Sequence, residues 1–193
     1  MSAVSASIRT LDFGQPSSVI VAELVGEFSE EQWMLAQSWF SNAEANRYSS
    51  ETVGRAERFL AGRYLIRAAM SELFETAPLD VVVRATCSSC GQEHGAPQAT
   101  IRDQKIFLSL SHSGEHHVVA LSTEVFVGVD VEVPRPEMQA GFGIEDWTRT
   151  ESIAKVGGRG LLVPSLEADR ITTLGFAGEG FVGTLAWSRP VDF

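Results

Sequence analysis

Residues Phe126–Glu132 read FVGVDVE, and apolar residues alternate there with small or acidic ones. A period of two belongs to a β-strand, which turns successive side chains to opposite faces. Val127, Val129 and Val131 then face a core, while Gly128, Asp130 and Glu132 share the other face. Two carboxylates held this close repel each other, and keeping both ionised is costly without a cation. Magnesium takes oxygen ligands and is often held by one or two carboxylates plus phosphate oxygens. The same spacing also fits a solvated edge strand that binds nothing.

Working outward, the strand extends over Val125–Val133, and Pro134 and Pro136 close it. His117–Ser122 and Ile106–Leu110 read as strands before it. After it, Asp146–Val156 reads as a helix stopped by Gly157-Gly158, and Phe181–Trp187 (FVGTLAW) as a closing strand. The clearest helix is Arg55–Phe74. There Phe59, Gly62, Ile66, Ala69, Met70 and Leu73 recur at helical steps and form one apolar stripe. Arg55, Arg58, Arg63 and Arg67 lie largely off that stripe. Ser29, followed by Glu30 and Glu31, opens another helix, with Trp33, Trp39 and Phe40 as core residues. Val19–Leu24 and Leu79–Ala85 read as strands, and residues 1–16 as a loose lead-in. Helices and strands mix without regular alternation, so the expected class is α+β.

The chain has 193 residues, 44% of them hydrophobic, which supports a sizeable core. Its 25 acidic against 15 basic residues give a net charge of -10. That argues against broad nucleic-acid binding, which needs a basic field. No apolar run of about 18 residues occurs, so no membrane helix is expected. The opening MSAVSASIRT lacks the basic start and apolar run of a signal peptide, and the cytoplasm is the expected compartment. The two cysteines, Cys87 and Cys90, do not make a disulfide framework. With His94 they resemble half a zinc site, but four ligands are usual and no second cysteine pair exists. Neither metal binding nor redox use is expected of this CSSCGQEHGAP loop.

Trp147, Glu151 and Lys155 sit at i, i+4 and i+8 of the late helix, hence on one side. Glu151 could add a third carboxylate to a metal, and Lys155 could hold a phosphate oxygen as a point charge. An ordinary surface Glu–Lys pair is the plainer account. His112, in LSLSHS (Leu108–Ser113), reads as a turn histidine flanked by hydroxyls, a group able to bind phosphate. A turn histidine satisfied by its neighbours fits equally. His116 and His117 fall on opposite faces of their strand.

The order of these motifs resembles a family. SLSHSG, then VGVDVE, then W-x-x-x-E-S-x-x-K, then Gly158-Arg159-Gly160-Leu161 is similar to the surfactin-synthetase-activating type of 4′-phosphopantetheinyl transferase. RFLAGRYLIR resembles that family's Arg-rich helix, CSSCGQEHGAP the loop before its G-K-P element, and FVGTLAW its closing strand. The resemblance covers residues 40–193. It implies two similar α+β halves related by a pseudo-twofold, here 1–105 and 106–193, with the active site between them. It implies magnesium-dependent transfer of the phosphopantetheine arm of coenzyme A to a serine of an apo acyl or peptidyl carrier protein, by a monomer. By position, Asp130, Glu132 and Glu151 would hold Mg2+, and Glu151 would act as base. Lys155 would act on the phosphates, and Arg63 and His112 would contact the nucleotide end of coenzyme A. The chain departs from the pattern at Ala96 and Thr150, where the family carries lysines. The segments Glu132–Trp147 and Leu161–Phe181 are shorter than in the family. A weak or inactive relative that binds coenzyme A or a carrier protein is the alternative.

Overall fold

Valines drive the architecture. Val127, Val129 and Val131 are buried, and they pack on Val19, Val21, Val118 and Ala120 from the back of a second sheet. Each such valine is worth about 1.5 kcal/mol against exposure. The computed structural model describes residues 6–87, 89–135, 143–156 and 170–189. Its strands are β1 (Ser7–Leu11), β2 (Val19–Val25), β3 (Val81–Arg84), β4 (Gln98–Ile101), β5 (Gln104–Ser113), β6 (His116–Ser122), β7 (Phe126–Glu132), β8 (Thr172–Gly178) and β9 (Phe181–Ser188). Its helices are α1 (Glu30–Ser38), α2 (Asn42–Ser50), α3 (Val53–Phe74) and α4 (Ile144–Lys155).

Six strands form one antiparallel sheet in the order β1-β2-β6-β5-β4-β3, and three form another, β7-β9-β8. Helix α3 covers one face of the larger sheet through Leu65, Ile66, Ala69 and Met70. The smaller sheet covers the other face. Helix α4 packs on the outside of the smaller sheet, where Thr148 meets Thr184 of β9 through their hydroxyls at 2.8 Å. The chain is mixed α+β, as expected. Among the described residues no helix is long and apolar enough to cross a membrane.

Gly128 explains how close α4 can come. A Cβ there would lie 2.0 Å from the Ser152 carbonyl oxygen and 2.8 Å from the Val156 nitrogen. The small residue on the carboxylate face of β7 is therefore the seat of the helix.

Several elements escaped the sequence pattern. Residues Ser7–Leu11 are an edge strand on β2, not a loose lead-in, and their mostly exposed side chains leave no apolar alternation to read. Helix α2 begins at a capping box in which Ser41 Oγ accepts from Glu44 N–H while the Glu44 side chain accepts from Ser41 N–H. Helix α1 ends at Ser38, and Trp39 stacks on Tyr64 of α3 beyond it. The division at 105/106 falls inside β5, which joins β4 to β6 within one sheet. The sheets themselves divide between Ser122 and Phe126. Gly157-Gly158, the Gly158–Leu161 motif and Pro136 lie outside the described residues.

Candidate functional site

Serines set the geometry of the site. Ser109, Ser111 and Ser113 alternate along β5 with Leu108, Leu110 and His112. Their hydroxyl oxygens accept hydrogen bonds from the backbone N–H groups of Val129 (3.0 Å), Val131 (3.2 Å) and Val133 (3.1 Å). The free edge of β7 is thus satisfied by side chains in place of a neighbouring strand. The same hydroxyls then donate to the carboxylates: Ser111 to Asp130 Oδ1 at 2.9 Å and Ser113 to Glu132 Oε2 at 2.7 Å.

Asp130 and Glu132 share the α4 side of β7, as the alternation required. Asp130 is buried, and its Oδ2 has no hydrogen-bond partner. Its Oδ1 accepts from Lys155 Nζ at 2.5 Å, and Lys155 also donates to Ser111 Oγ and the Val129 carbonyl, each at 3.2 Å. Burial pushes the Asp130 pKa up, and Lys155 and Ser111 hold it back. Glu132 Oε2 also takes Arg135 at 3.1 Å. Glu151 is half-buried one helical turn before Lys155. Among the described residues the carboxyl oxygens of Asp130, Glu132 and Glu151 do not all lie within 4.8 Å of one another. Without a cation three like charges have no reason to close up, and the ammonium of Lys155 already stands at Asp130.

His112 sits in β5 and not in a turn; the chain reverses after Ser113 at Gly114-Glu115. The hydroxyls that flank it point to the opposite face and serve β7. Its ring instead faces His117 across the strands, with centroids 5.6 Å apart. The packed part of the His112 ring lowers its pKa, and the positive charge of Arg58 lowers it further.

Arg63 turns toward helix α2. It is buried, and its Nε lies 3.1 Å from Glu44 Oε1. Burial lowers its pKa to about 10 against the pull of Glu44. Its partner Arg67 forks onto the same carboxylate at 3.1 and 2.7 Å. Helical spacing alone put both on the polar side; the missing fact was α2, which brings Glu44 to them. Arg58 is the α3 arginine whose charge reaches His112.

Arg58 and His117 line a cavity of about 650 Å3 beside Phe28, Trp33, Glu57 and His116. Asp130, Glu132, Glu151 and Lys155 do not line it. His117 Nδ1 lies 3.2 Å from the Glu115 carbonyl and donates to it when the ring is neutral, while Nε2 is buried without a partner. Burial lowers the His117 pKa to about 4. The unfolded chain, with an ordinary histidine near 6.5, binds the extra proton first. Stability from this group is therefore full above about pH 6.5 and is lost as pH falls toward about 4. Urea unfolding at pH 7 and pH 5 should show a loss of about 1 kcal/mol, after discounting for the ring's partial contact with solvent. His117→Leu should flatten that dependence; an unchanged slope would remove His117 as its source.

No protein-family model matches this chain, and no curated protein matches it either.

Proposed function

We propose that the chain transfers 4′-phosphopantetheine from coenzyme A to a serine of an apo acyl or peptidyl carrier protein, with Mg2+ held by Asp130, Glu132 and Glu151. The fold proposed for it is two similar α+β halves related by a pseudo-twofold. The observation that carries the reading is Asp130: a buried carboxylate with an unpartnered Oδ2, beside Glu132 on one strand face. A second oxygen donor set so near invites a hard cation, and an all-oxygen set suits magnesium.

When bound, magnesium would neutralise the pyrophosphate and favour departure of the nucleotide. The chain's residues do the rest. Lys155, which holds Asp130 Oδ1 in the free protein, is a mobile point charge for a phosphate oxygen. Glu151 takes the proton of the attacking serine, directly or through water. Arg58 and His112 supply positive charge and a ring donor toward the nucleotide end, in place of the buried Arg63. The products are the holo carrier and 3′,5′-bisphosphorylated adenosine.

A second reading is a weak or inactive relative that only binds coenzyme A or a carrier. It is favoured by the Lys155–Asp130 pair, which already compensates the carboxylate, and by Ala96 and Thr150. Incubating the chain with apo carrier protein, coenzyme A and Mg2+, then weighing the carrier, separates the readings. A gain of one phosphopantetheine is expected. Coenzyme A binding without that gain would establish the second reading, and no binding of either substrate would overturn both.

A further inference from the structure

The loop between β3 and β4 is built more tightly than its composition suggests. Cys87 N–H donates to the Gln92 carbonyl at 2.7 Å, and Gly91 N–H donates back to the Cys87 carbonyl at 2.9 Å. Gly91 has φ +72°, a value that favours glycine. Glu93 fastens the loop to its base: its carboxylate accepts from Ala85 N–H at 2.8 Å and from Thr86 Oγ1 at 2.7 Å. Arg47 of α2 donates to the Glu93 carbonyl at 3.0 Å. Gly95 lets the returning chain close, since a Cβ there would lie 2.7 Å from the Thr86 carbonyl oxygen.

This folding brings His94 back over the two cysteines. Ligand atoms of Cys87, Cys90 and His94 all lie within 4.8 Å of one another, and Cys90 Sγ is 3.0 Å from His94 Nε2. A tetrahedral zinc, with Zn–S near 2.3 Å and Zn–N near 2.0 Å, sets its ligands about 3.6 Å apart. Small side-chain rotations cover the difference.

We propose that Cys87, Cys90 and His94 form a zinc site, with an exchangeable water as fourth ligand. Two thiolates and an imidazole are soft and borderline donors, which select zinc and reject magnesium. Cys90 and His94 are exposed, so the fourth position opens to solvent. The site is independent of the transferase reading, because it shares no residue with Asp130, Glu132 or Glu151 and takes a different class of metal.

The test uses the full chain, purified under reducing conditions without added chelator. Metal analysis should find one zinc per chain, and replacement by cobalt should give a thiolate-to-metal charge-transfer band. Cys87→Ser, Cys90→Ser and His94→Ala should each weaken zinc binding by about 100-fold or more, because each deletes a direct ligand. His94→Cys should restore binding, which a merely structural histidine would not allow. Circular dichroism would confirm that each variant stays folded. Metal-free protein that takes up no zinc, a His94→Ala variant that binds as tightly as the parent, or a Cys87–Cys90 disulfide that persists in the presence of zinc would each overturn the proposal.

Discussion

Asp130→Asn should lower carrier modification by about a thousandfold, equivalent to roughly 4 kcal/mol of transition-state stabilisation, while leaving the fold nearly untouched. The amide keeps an oxygen where Oδ1 now accepts from Ser111 and Lys155. It removes the charge that a magnesium ion needs, and it relieves the repulsion from Glu132. The two consequences separate metal binding from architecture. Asp130→Ala is the harsher variant, since it leaves Lys155 Nζ with only Ser111 and the Val129 carbonyl. Thermal unfolding without metal should therefore rank Asn close to the parent and Ala below it. With Mg2+ and coenzyme A present, only the parent should gain stability, because a ligand stabilises the state that binds it. Equal gains in parent and Asp130→Asn would remove Asp130 from the metal site. Full activity of Asp130→Asn would do the same.

The strand that carries Asp130 was legible because its period is short and its neighbours are apolar. Val127, Val129 and Val131 could be placed in a core, and Gly128, Asp130 and Glu132 on the other face, from seven residues alone. What spacing could not supply was the partner of each face. The serines of β5 looked like the setting of a phosphate-binding histidine. They instead satisfy the edge of β7, a role visible only once two sheets stack. The signal was present: three serines at a period of two beside a strand of matching period. Lys155 could be placed on one helix face with Glu151 by spacing, but its pairing with Asp130 depends on Gly128 admitting α4.

Short and exposed elements left weaker traces. β1 has little burial to pattern it, and β4 is too short for a period to emerge. The geometry of the Cys87 loop was hidden for another reason. Counting ligands along the chain finds two cysteines and a histidine, whereas Gly91 and Gly95 decide whether they meet. The arginines of α3 show the same limit. Arg58 and Arg63 differ by five positions, and only the presence of α2 over one of them tells which is free to serve a site.

That α2 contact supports the largest expected loss of stability. Glu44→Ala should cost about 4 kcal/mol, since removing one partner of a buried ion pair strands the others. Glu44 is buried and does two jobs with one carboxylate. It accepts from Ser41 N–H and Ser41 Oγ, each at 3.0 Å, and so completes the cap of α2. It also neutralises Arg67 through a two-point fork and lies beside Arg63. Loss of the cap alone costs about 1 kcal/mol. The remainder is the penalty of two buried guanidiniums left without the carboxylate they share, with only the more distant charge of Glu93 acting on Arg63, and the charge of Arg67 already lowers the pKa of Arg63. Glu44→Gln keeps an acceptor for the cap and loses the charge, so it should fall between parent and alanine. The triple variant Glu44→Leu, Arg63→Met, Arg67→Leu tests the cause. It removes the pair as a whole and should recover most of the loss, because apolar residues of similar volume often replace a buried ion pair without penalty. Urea unfolding reads all four proteins; the midpoint should move while the slope stays constant. If Glu44→Ala unfolds within about 1 kcal/mol of the parent, the cap accounts for the whole effect and the arginines are solvated.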